Sequence, residues 1–340
     1  MIKIAHILSL MNFGGMEQLV FNLCRYTKNT EPFVLAIRDG VIIEDFQKAN
    51  IPMFVMPTID NPYEKYQRAL EILRGADIIN VHCLYRDPII AMFVWLVKES
   101  GVPYLFTLHW QSRLPLLDCV ICCKARCIKS MQAKENKCVV IPNGIDLTKF
   151  VHKQTKKKNT NKVVITLISY PQKCSPYFWF AMKDVLEANP NVELWIVGDK
   201  PWTAKQIKSL GIRRDIPDIL AQTDIFVYAP YPKIGGIENV VLEAMAMGVP
   251  SVLSDVECVR EAITNGKEGL LTPYGDRKAF AEAVNVLINN EDYRKELGHN
   301  ALEKAKKFNV VDVALQHDEL YHSLLTSGWK TNSECDLHFF

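Results

Sequence analysis

The 340-residue chain lacks any apolar run long enough to cross a membrane. Its nearest candidate, residues 89–97, is about half of the roughly 18–20 residues that a span needs. No signal peptide is expected either, because residues 1–10 form a short apolar run without a small-residue cleavage site. The sequence also lacks a large excess of either sign of charge. The net charge of +2 argues against a nucleic-acid-binding protein, although a mild basic patch against an anionic membrane stays compatible with it. We therefore expect a cytoplasmic protein.

Ten cysteines are present, and four of them, Cys119, Cys122, Cys123 and Cys127, are closely spaced. Such a cluster is compatible with a zinc or iron–sulfur site. However, residues 118–123 form an apolar run typical of a strand, in which successive side chains point to opposite faces and do not converge. We therefore predict no metal site, and without a secretion signal we predict no structural disulfides.

Short apolar segments alternate with helix-like segments through the first 150 residues. Candidate strands are residues 3–10, 33–38, 53–56, 78–82, 104–109, 119–122 and 139–142, and candidate helices are 16–26, 62–74 and 88–99. Nearly continuous apolar strands that alternate with helices indicate a parallel sheet covered on both faces.

A polar, basic segment at residues 152–162 interrupts this alternation. It is predicted to be a solvated linker, with a loop that contacts a membrane or a phosphate as the alternative. Beyond it, strands are predicted at residues 163–168, 192–197, 224–228 and 251–254, and helices at 176–188, 239–247, 276–289, 292–308 and 311–325.

These patterns predict an α/β protein with two Rossmann-like, doubly wound parallel-sheet domains that face each other across a cleft. The first domain is expected at residues 1–150 and the second at 163–308, with a basic linker at 151–162. The C-terminal helix and tail, residues 309–340, are expected to cross back to the first domain. Ligands of such sheets bind beyond the carboxyl ends of the strands.

The first candidate site is the pair Gly14-Gly15, directly after the first strand. Two glycines allow the backbone to approach a ligand closely, and the helix that follows offers its N–H groups to an anion. The segment does not have the G-x-G-x-x-G spacing of a dinucleotide site. A tight structural turn explains the pair equally well.

The second candidate site lies in residues 235–250. Asn239 is a suitable N-cap for the helix that follows, so the amides of Val240 and Val241 are expected to hold a pyrophosphate. Glu243, one turn further, is placed to accept hydrogen bonds from a ribose diol. The alternative for Glu243 is a solvated helix carboxylate, but its apolar neighbours favour burial beside a ligand.

Six ordered segments resemble the motifs of the family 4 retaining glycosyltransferases, which have the GT-B fold. They are Gly14-Gly15-x-Glu17, Thr107-Leu108-His109, residues 141–150 (IPNGIDLTKF), residues 215–227, residues 235–250 and residues 266–273. The resemblance covers most of the chain and both expected domains.

This resemblance implies transfer of a hexose-type sugar from a nucleotide-diphosphate sugar to a hydroxyl acceptor, with retention of configuration. The acceptor would be a glycan or a lipid-linked molecule, in the synthesis of cell-surface polysaccharide or glycolipid. No metal or other cofactor is expected. Peripheral contact with the inner face of the plasma membrane fits such acceptors.

The resemblance also implies roles for residues of the donor site. Glu243 would hold the ribose, while the Val240 and Val241 amides at the helix that begins with Asn239, together with Lys173, would neutralise the diphosphate. The segment containing Arg213 and Pro217 would flank the nucleobase. These expectations apply to the second domain.

The first domain would contribute His109, which is expected to meet the donor sugar or the acceptor. A purely structural histidine is the alternative, but the end of a strand in this context favours a functional role. Gly14 and Gly15 would allow the first domain to close over the phosphates.

Two positions depart from the family pattern. Gly235 stands where the family has a glutamate that contacts the sugar, and Tyr170 stands where it has an arginine. Glu238 is expected to replace the glutamate as a catalytic residue, and Arg213 or Arg214 could supply the missing charge. These departures leave open a catalytically impaired relative that binds nucleotide sugar as a partner or regulatory subunit. A third reading, epimerisation or phosphorolysis on the same architecture, lacks the motifs of those enzymes.

Overall fold

The computed structural model describes residues 1–9, 11, 14–56, 61–83, 90–109, 120–122, 138–151, 162–169, 173–198, 204–232 and 237–326. The chain forms two compact units, one of residues 1–144 together with the segment from Val310 onward, the other of residues 145–309. The first division falls at Gly144 rather than at residue 150. Most of the expected linker, residues 152–161, lies outside the described residues.

The first unit is built on a parallel sheet. Its strands are β1 (Ile2–Leu8), β2 (Thr30–Ala36), β3 (Met53–Val55), β4 (Ile78–Cys83), β5 (Tyr104–Leu108), β6 (Val120–Cys122) and β7 (Cys138–Val140). In the described residues their order is β3-β2-β1-β4-β5-β6-β7, and each described pairing is parallel. The order reverses between β1 and β4, and such a switch point is where doubly wound sheets bind ligands.

Helices cover both faces of this sheet. They are α1 (Gly15–Tyr26), α2 (Ile43–Lys48), α3 (Pro62–Leu73) and α4 (Ile90–Ser100). On one face, α3 and α4 pack through Leu70, Leu73 and Phe93 against buried strand residues such as Phe106. Apolar side chains that point to both faces explain why these strands have nearly continuous apolar runs.

The second unit repeats this architecture. Its strands are β8 (Val163–Ile168), β9 (Val192–Val197), β10 (Ile207–Gly211), β11 (Ile225–Tyr228), β12 (Ser251–Ser254) and β13 (Gly269–Thr272). Its helices are α5 (Pro176–Ala188), α6 (Ile216–Leu220), α7 (Asn239–Ala246), α8 (Glu257–Arg260), α9 (Arg277–Asn289) and α10 (Glu291–Ala305). The described strands follow the order β10-β9-β8-β11-β12-β13, all parallel, with the switch point between β8 and β11.

The chain then returns to the first unit as helix α11 (Val310–Thr326). Its apolar side chains, Val313, Leu320 and Leu324, pack in one cluster with residues of β1, β4, β5 and α1. A buried carboxylate fixes the helix further, because Asp318 accepts hydrogen bonds from the turn between α1 and β2. Helix α11 therefore completes the core of the first unit.

The predicted fold class is confirmed: both units are α/β with parallel, doubly wound sheets. Two strands were missed, β10 and β13. Strand β10 (IKSLG) lies at a sheet edge, where the strand needs no continuous apolar pattern. The helices missed, α2, α6 and α8, have six, five and four residues, too few to show a helical period.

Within the described ranges, none of the helices combines the length and the apolar content needed to cross a bilayer. Of the clustered cysteines, Cys122 ends β6, while Cys119, Cys123 and Cys127 lie outside the described residues. Among the residues that the structure describes, no group of three or more His, Cys, Asp or Glu side chains is arranged to hold a metal ion.

Candidate functional site

Three histidines form a row across the switch point of the first sheet. His6 lies on β1, His82 on β4, and His109 directly follows β5. Nδ1 of His6 lies 2.9 Å from Nε2 of His82, and Nδ1 of His82 lies 3.3 Å from Nε2 of His109. These distances are those of N–H···N hydrogen bonds, the second a long one. The sequence signalled only His109, whereas the structure shows it at the outer end of a row.

The interior keeps this row uncharged. Burial, followed by the nearby His317, lowers the pKa of His6 and of His109 to about 3 each. Burial also lowers the pKa of His82 well below its usual value, and the neighbouring histidines add to this effect. His6 and His82 are buried, and His109 keeps part of its surface exposed. At neutral pH each ring therefore carries one N–H and one bare nitrogen.

The glycine turn at the same edge has a different environment from the predicted one. Gly14 precedes α1, and Gly15 is its first residue. The carboxylate of Glu17 lies over Gly14, since a Cβ there would stand 2.4 Å from Oε2 of Glu17. This carboxylate already faces the first turn of α1. A phosphate at these amides would therefore lie beside the Glu17 carboxylate, which repels it.

The second unit brings Lys173 and Glu238 together at its own switch point. Lys173 follows β8 and Glu238 follows β11, which are neighbours in the sheet. The segment after Lys173 is held to the end of β11, because the Ser175 amide donates to the Ala229 carbonyl at 2.9 Å. Lys173 Nζ lies 3.9 Å from Glu238 Oε2, and both side chains keep some exposure. A cation and a carboxylate therefore flank the start of α7.

The N-terminus of α7 corrects two expectations from the sequence. Asn239 was predicted to be the N-cap, but the cap is Glu238, and Asn239 is the first helical residue. The Val241 amide was predicted to hold phosphate, but Val241 is fully buried and its amide donates to the Glu238 carbonyl at 2.9 Å. The Val240 amide donates to no carbonyl within the described residues. Nor has Asn239 Oδ1, a buried atom, any partner there.

Glu243 lies one turn into α7 and is partly buried. Burial raises the pKa of its carboxyl to about 7, and the nearby Lys149 opposes this rise. Such a carboxylate is poorly hydrated and gains most from hydroxyl donors that a ligand brings. Lys149 was not predicted as a site residue. The sequence feature that could have indicated Lys149 is its position in the motif IPNGIDLTKF, which precedes the expected linker.

Arg213 and Pro217 are exposed or half-buried residues near the start of α6. Arg213 makes two hydrogen bonds to the Asp215 carboxylate, Nε to Oδ1 at 2.7 Å and Nη2 to Oδ2 at 2.5 Å. Its charge is therefore already paired. Pro217 lies in the first turn of α6, and its carbonyl accepts from the Ala221 amide at 2.9 Å. Tyr170 and Gly235, the two departures from the family pattern, lie outside the described residues.

Two of the motifs have structural explanations in the described residues. A Cβ at Gly144 would stand 2.8 Å from the Cα of Val310, so glycine allows α11 to begin against this turn. A Cβ at Gly269 would stand 2.6 Å from the Ser251 carbonyl oxygen, so glycine allows β13 to approach β12. These glycines serve the fold rather than a ligand.

Family models match both units of the chain. Residues 13–149 match the model described as Glycosyltransferase Family 4, and residues 161–290 match the model described as Glycosyl transferases group 1. The crystal structure of Anabaena HepE with UDP and glucose superimposes with a TM-score of 0.80 at 19% identity, covering 95% of this chain and all of that one. At this identity the likeness shows the fold, which is GT-B.

Curated relatives agree with these matches. A phosphatidyl-myo-inositol mannosyltransferase from Mycobacterium leprae is 31% identical over 59% of this chain and 57% of its own length. A second relative, from Escherichia coli, is 29% identical over 60% of this chain. It is named as a UDP-Gal:α-D-GlcNAc-diphosphoundecaprenol α-1,3-galactosyltransferase. The match spans 59% of that enzyme, so the alignments cover little more than half of each relative. With its two units matched by the two family models, the chain belongs to the group 1, family 4 glycosyltransferases.

Proposed function

We propose that the protein transfers a sugar from a nucleotide-diphosphate sugar to a hydroxyl of a glycan or lipid-linked acceptor, with retention of configuration. The observation that carries this proposal is the arrangement around α7, where Lys173, the Val240 amide and the partly buried Glu243 are placed on adjacent elements beyond the switch point. Polysaccharide or glycolipid synthesis is the setting that the relatives' names support.

The chemistry that this site must supply is electrostatic. A departing nucleotide diphosphate gains negative charge, and the helix N-terminus and a lysine stabilise such charge where it develops. In the proposal Lys173 leaves Glu238 for the diphosphate, while Glu243 accepts the two ribose hydroxyls. Glu238, placed beside Lys173, is then available to the donor sugar. We propose that these groups replace a metal, so that transfer continues in the presence of a chelator.

The first unit contributes a neutral imidazole. Because its pKa is lowered to about 3, His109 exchanges hydrogen bonds with sugar hydroxyls rather than forming an ion pair with phosphate. We propose that it orients the donor sugar or the acceptor hydroxyl. The protein would meet lipid-linked acceptors from the cytoplasmic side of the membrane, as a peripheral protein.

The proposal is tested by incubating the protein with UDP-glucose and UDP-galactose, then with other nucleotide sugars, with and without EDTA. Release of nucleotide diphosphate, with or without an added lipid extract as acceptor, is the expected result, and it should persist in EDTA. Binding of a nucleotide sugar without turnover by any donor would contradict the transferase proposal. Failure to bind any of them would contradict the donor site itself.

Lys173→Ala is expected to lower kcat/KM for the accepted donor by about 10- to 100-fold, because a charge-assisted bond to the diphosphate contributes about 1.5–3 kcal/mol. Lys183→Ala is the matched control, since Lys183 forms an exposed ion pair with Glu187 on α5. Steady-state kinetics of both variants provide the measurement. Equal kcat/KM values for the Lys173→Ala and Lys183→Ala variants would show that Lys173 does not bind the donor.

Nucleotide-sugar affinity is expected to rise with pH. With the Glu243 pKa at about 7, the ionised fraction increases about tenfold between pH 6 and pH 8, and only the carboxylate accepts both ribose hydroxyls. UDP-glucose is a suitable probe because its diphosphate does not titrate in this interval. Calorimetry should show about tenfold tighter binding at pH 8 than at pH 6. Glu243→Gln should bind more weakly and without this pH dependence, whereas the same slope in both proteins would contradict the assignment.

A further inference from the structure

The histidine row of the first unit contains more rings than a sugar contact requires. Only His109 reaches the carboxyl edge of the sheet with part of its surface exposed. His82 and His6 continue the row inward on β4 and β1, with ring centroids 5.6 Å and 5.1 Å apart along it. Buried polar side chains are costly unless they are hydrogen-bonded, so two buried imidazoles in line with His109 call for an explanation.

The hydrogen bonds couple the tautomers of the three rings. Each bond joins Nδ1 of one ring to Nε2 of the next. Since each neutral ring has one N–H, only two arrangements satisfy both bonds. In one, every N–H points inward, from His109 to His6. In the other, every N–H points outward, and His109 carries its proton on Nδ1.

The inner end of the row favours the outward arrangement. In the part of the chain that the structure describes, His6 Nε2 donates to no acceptor. The neighbouring Tyr321 presents its ring edge-on at 6.4 Å, and its hydroxyl accepts from Asn80 Nδ2 at 2.8 Å. His6 is only 2% exposed, and in such surroundings an N–H without an acceptor is rarer than a bare acceptor, so Nδ1 is the preferred proton position on His6.

The surrounding side chains have hydrogen-bond partners of their own and do not compete with the row. His317 on α11 donates its Nδ1–H to the Val313 carbonyl at 2.8 Å, which fixes its own tautomer outside the row. Thr107 and Asn80, on β5 and β4, are hydrogen-bonded to each other at 2.8 Å. Asp318 is the nearby carboxylate, and it is engaged by the turn between α1 and β2.

We infer that His82 and His6 are positioning residues, which hold the ring of His109 in place and keep it as the Nδ1–H tautomer. Nε2 of His109 then accepts from His82, and Nδ1 carries the proton. For the sugar-transfer step, an inference that rests on the proposed function, His109 acts as a hydrogen-bond donor to a sugar or acceptor oxygen. The tautomer itself does not depend on which reaction is catalysed.

The test is a long-range ¹H–¹⁵N correlation spectrum of the imidazoles in the full-length, ¹⁵N-labelled protein, with His109 assigned by His109→Gln. The expected spectrum shows protonated Nδ1 and bare Nε2 on His109. A predominantly Nε2–H His109 in the unaltered protein would overturn the inference without the need for a further variant.

His82→Phe should break the row and convert His109 to a mixture of tautomers. His82→Asn, whose amide N–H can still donate to His109 Nε2, should restore the Nδ1–H form in part. Thr107→Val is the matched control: it removes a buried hydrogen bond on the adjacent strand, between Thr107 and Asn80, in which none of the three histidines takes part. Loss of packing alone would destabilise the Phe and Val variants alike and leave the His109 tautomer unchanged.

Kinetics separate this inference from the proposed function. His82→Phe is expected to lower kcat by about 10- to 100-fold, the size of effect that follows loss of a side chain that orients a functional histidine through a hydrogen bond. The Kd for UDP-glucose should stay unchanged. If no donor is turned over by the unaltered protein, the proposed function fails while the spectrum still decides the tautomer. If transfer is found but His109 has the same tautomer with and without His82, the positioning role fails alone.

Discussion

Glu243→Ala is expected to weaken UDP-glucose binding by about 100-fold, close to 3 kcal/mol. The carboxylate is the group that we propose accepts both ribose hydroxyls, and each hydrogen bond to a charged acceptor contributes about 1.5–3 kcal/mol. The environment of Glu243 strengthens this expectation. A carboxyl whose pKa is raised to about 7 by burial has few hydrogen-bond donors of its own in the unliganded protein.

Removal of the negative charge of Glu243 should have the opposite effect on stability. The carboxyl pKa is raised above its value in the unfolded chain, so the folded protein binds the proton more tightly between about pH 4.5 and pH 7. Folding stability therefore falls as pH rises through this window, and above pH 7 the buried charge costs up to about 3 kcal/mol. Glu243→Gln should be more stable than the unaltered protein at pH 8, with the difference lost near pH 4.

Calorimetric binding of UDP-glucose and urea unfolding of the second unit at both pH values provide the measurements. Glu282→Ala is the matched control, because Glu282 is an exposed carboxylate on α9. It should leave affinity and stability within experimental error. A Glu243→Ala variant that binds as tightly as this control, or a Glu243→Gln variant that is less stable than the unaltered protein at pH 8, would contradict the role that we assign to Glu243.

Asp318→Ala is expected to release helix α11 from the first unit at a cost of about 3–5 kcal/mol. Asp318 is 1% exposed. It accepts from the Thr27 and Thr30 hydroxyls at 2.5 and 3.0 Å, and from the Lys28 and Asn29 amides at 3.0 and 3.1 Å. Removing the carboxylate takes away an acceptor that four donors share, and each hydrogen bond to a charged acceptor contributes about 1.5–3 kcal/mol.

Hydrogen exchange measured by mass spectrometry resolves this effect by segment. In Asp318→Ala, the amides of α11 and of the turn between α1 and β2 should exchange faster by about two orders of magnitude or more. Glu319→Ala removes an exposed carboxylate from the next position of the same helix and should change exchange little. Equal exchange of α11 in the two variants would show that apolar packing alone holds the helix.

The sequence by itself determined the two α/β units and most of their elements. Local signals suffice for this, because apolar runs and turn residues act over a few positions. Asp276, for example, precedes α9 and accepts from the Ala279 amide at 2.9 Å, a cap of three-residue range. The same locality explains the failure at α7. Both Glu238 and Asn239 can precede a helix, and only the backbone conformation decides that Glu238 is the cap.

Only the tertiary structure decided how distant residues combine. His6 and His82 are 76 positions apart, and Asp318 meets residues that are 288 to 291 positions earlier. No periodic pattern links such positions, because their proximity results from strand order and from the return of α11. The environment of Glu243 belongs to the same class. Its raised pKa comes from burial by the assembled unit, which a helix sequence does not report. The sequence thus determined most of the elements and named His109 and Glu243, whereas packing decided their protonation.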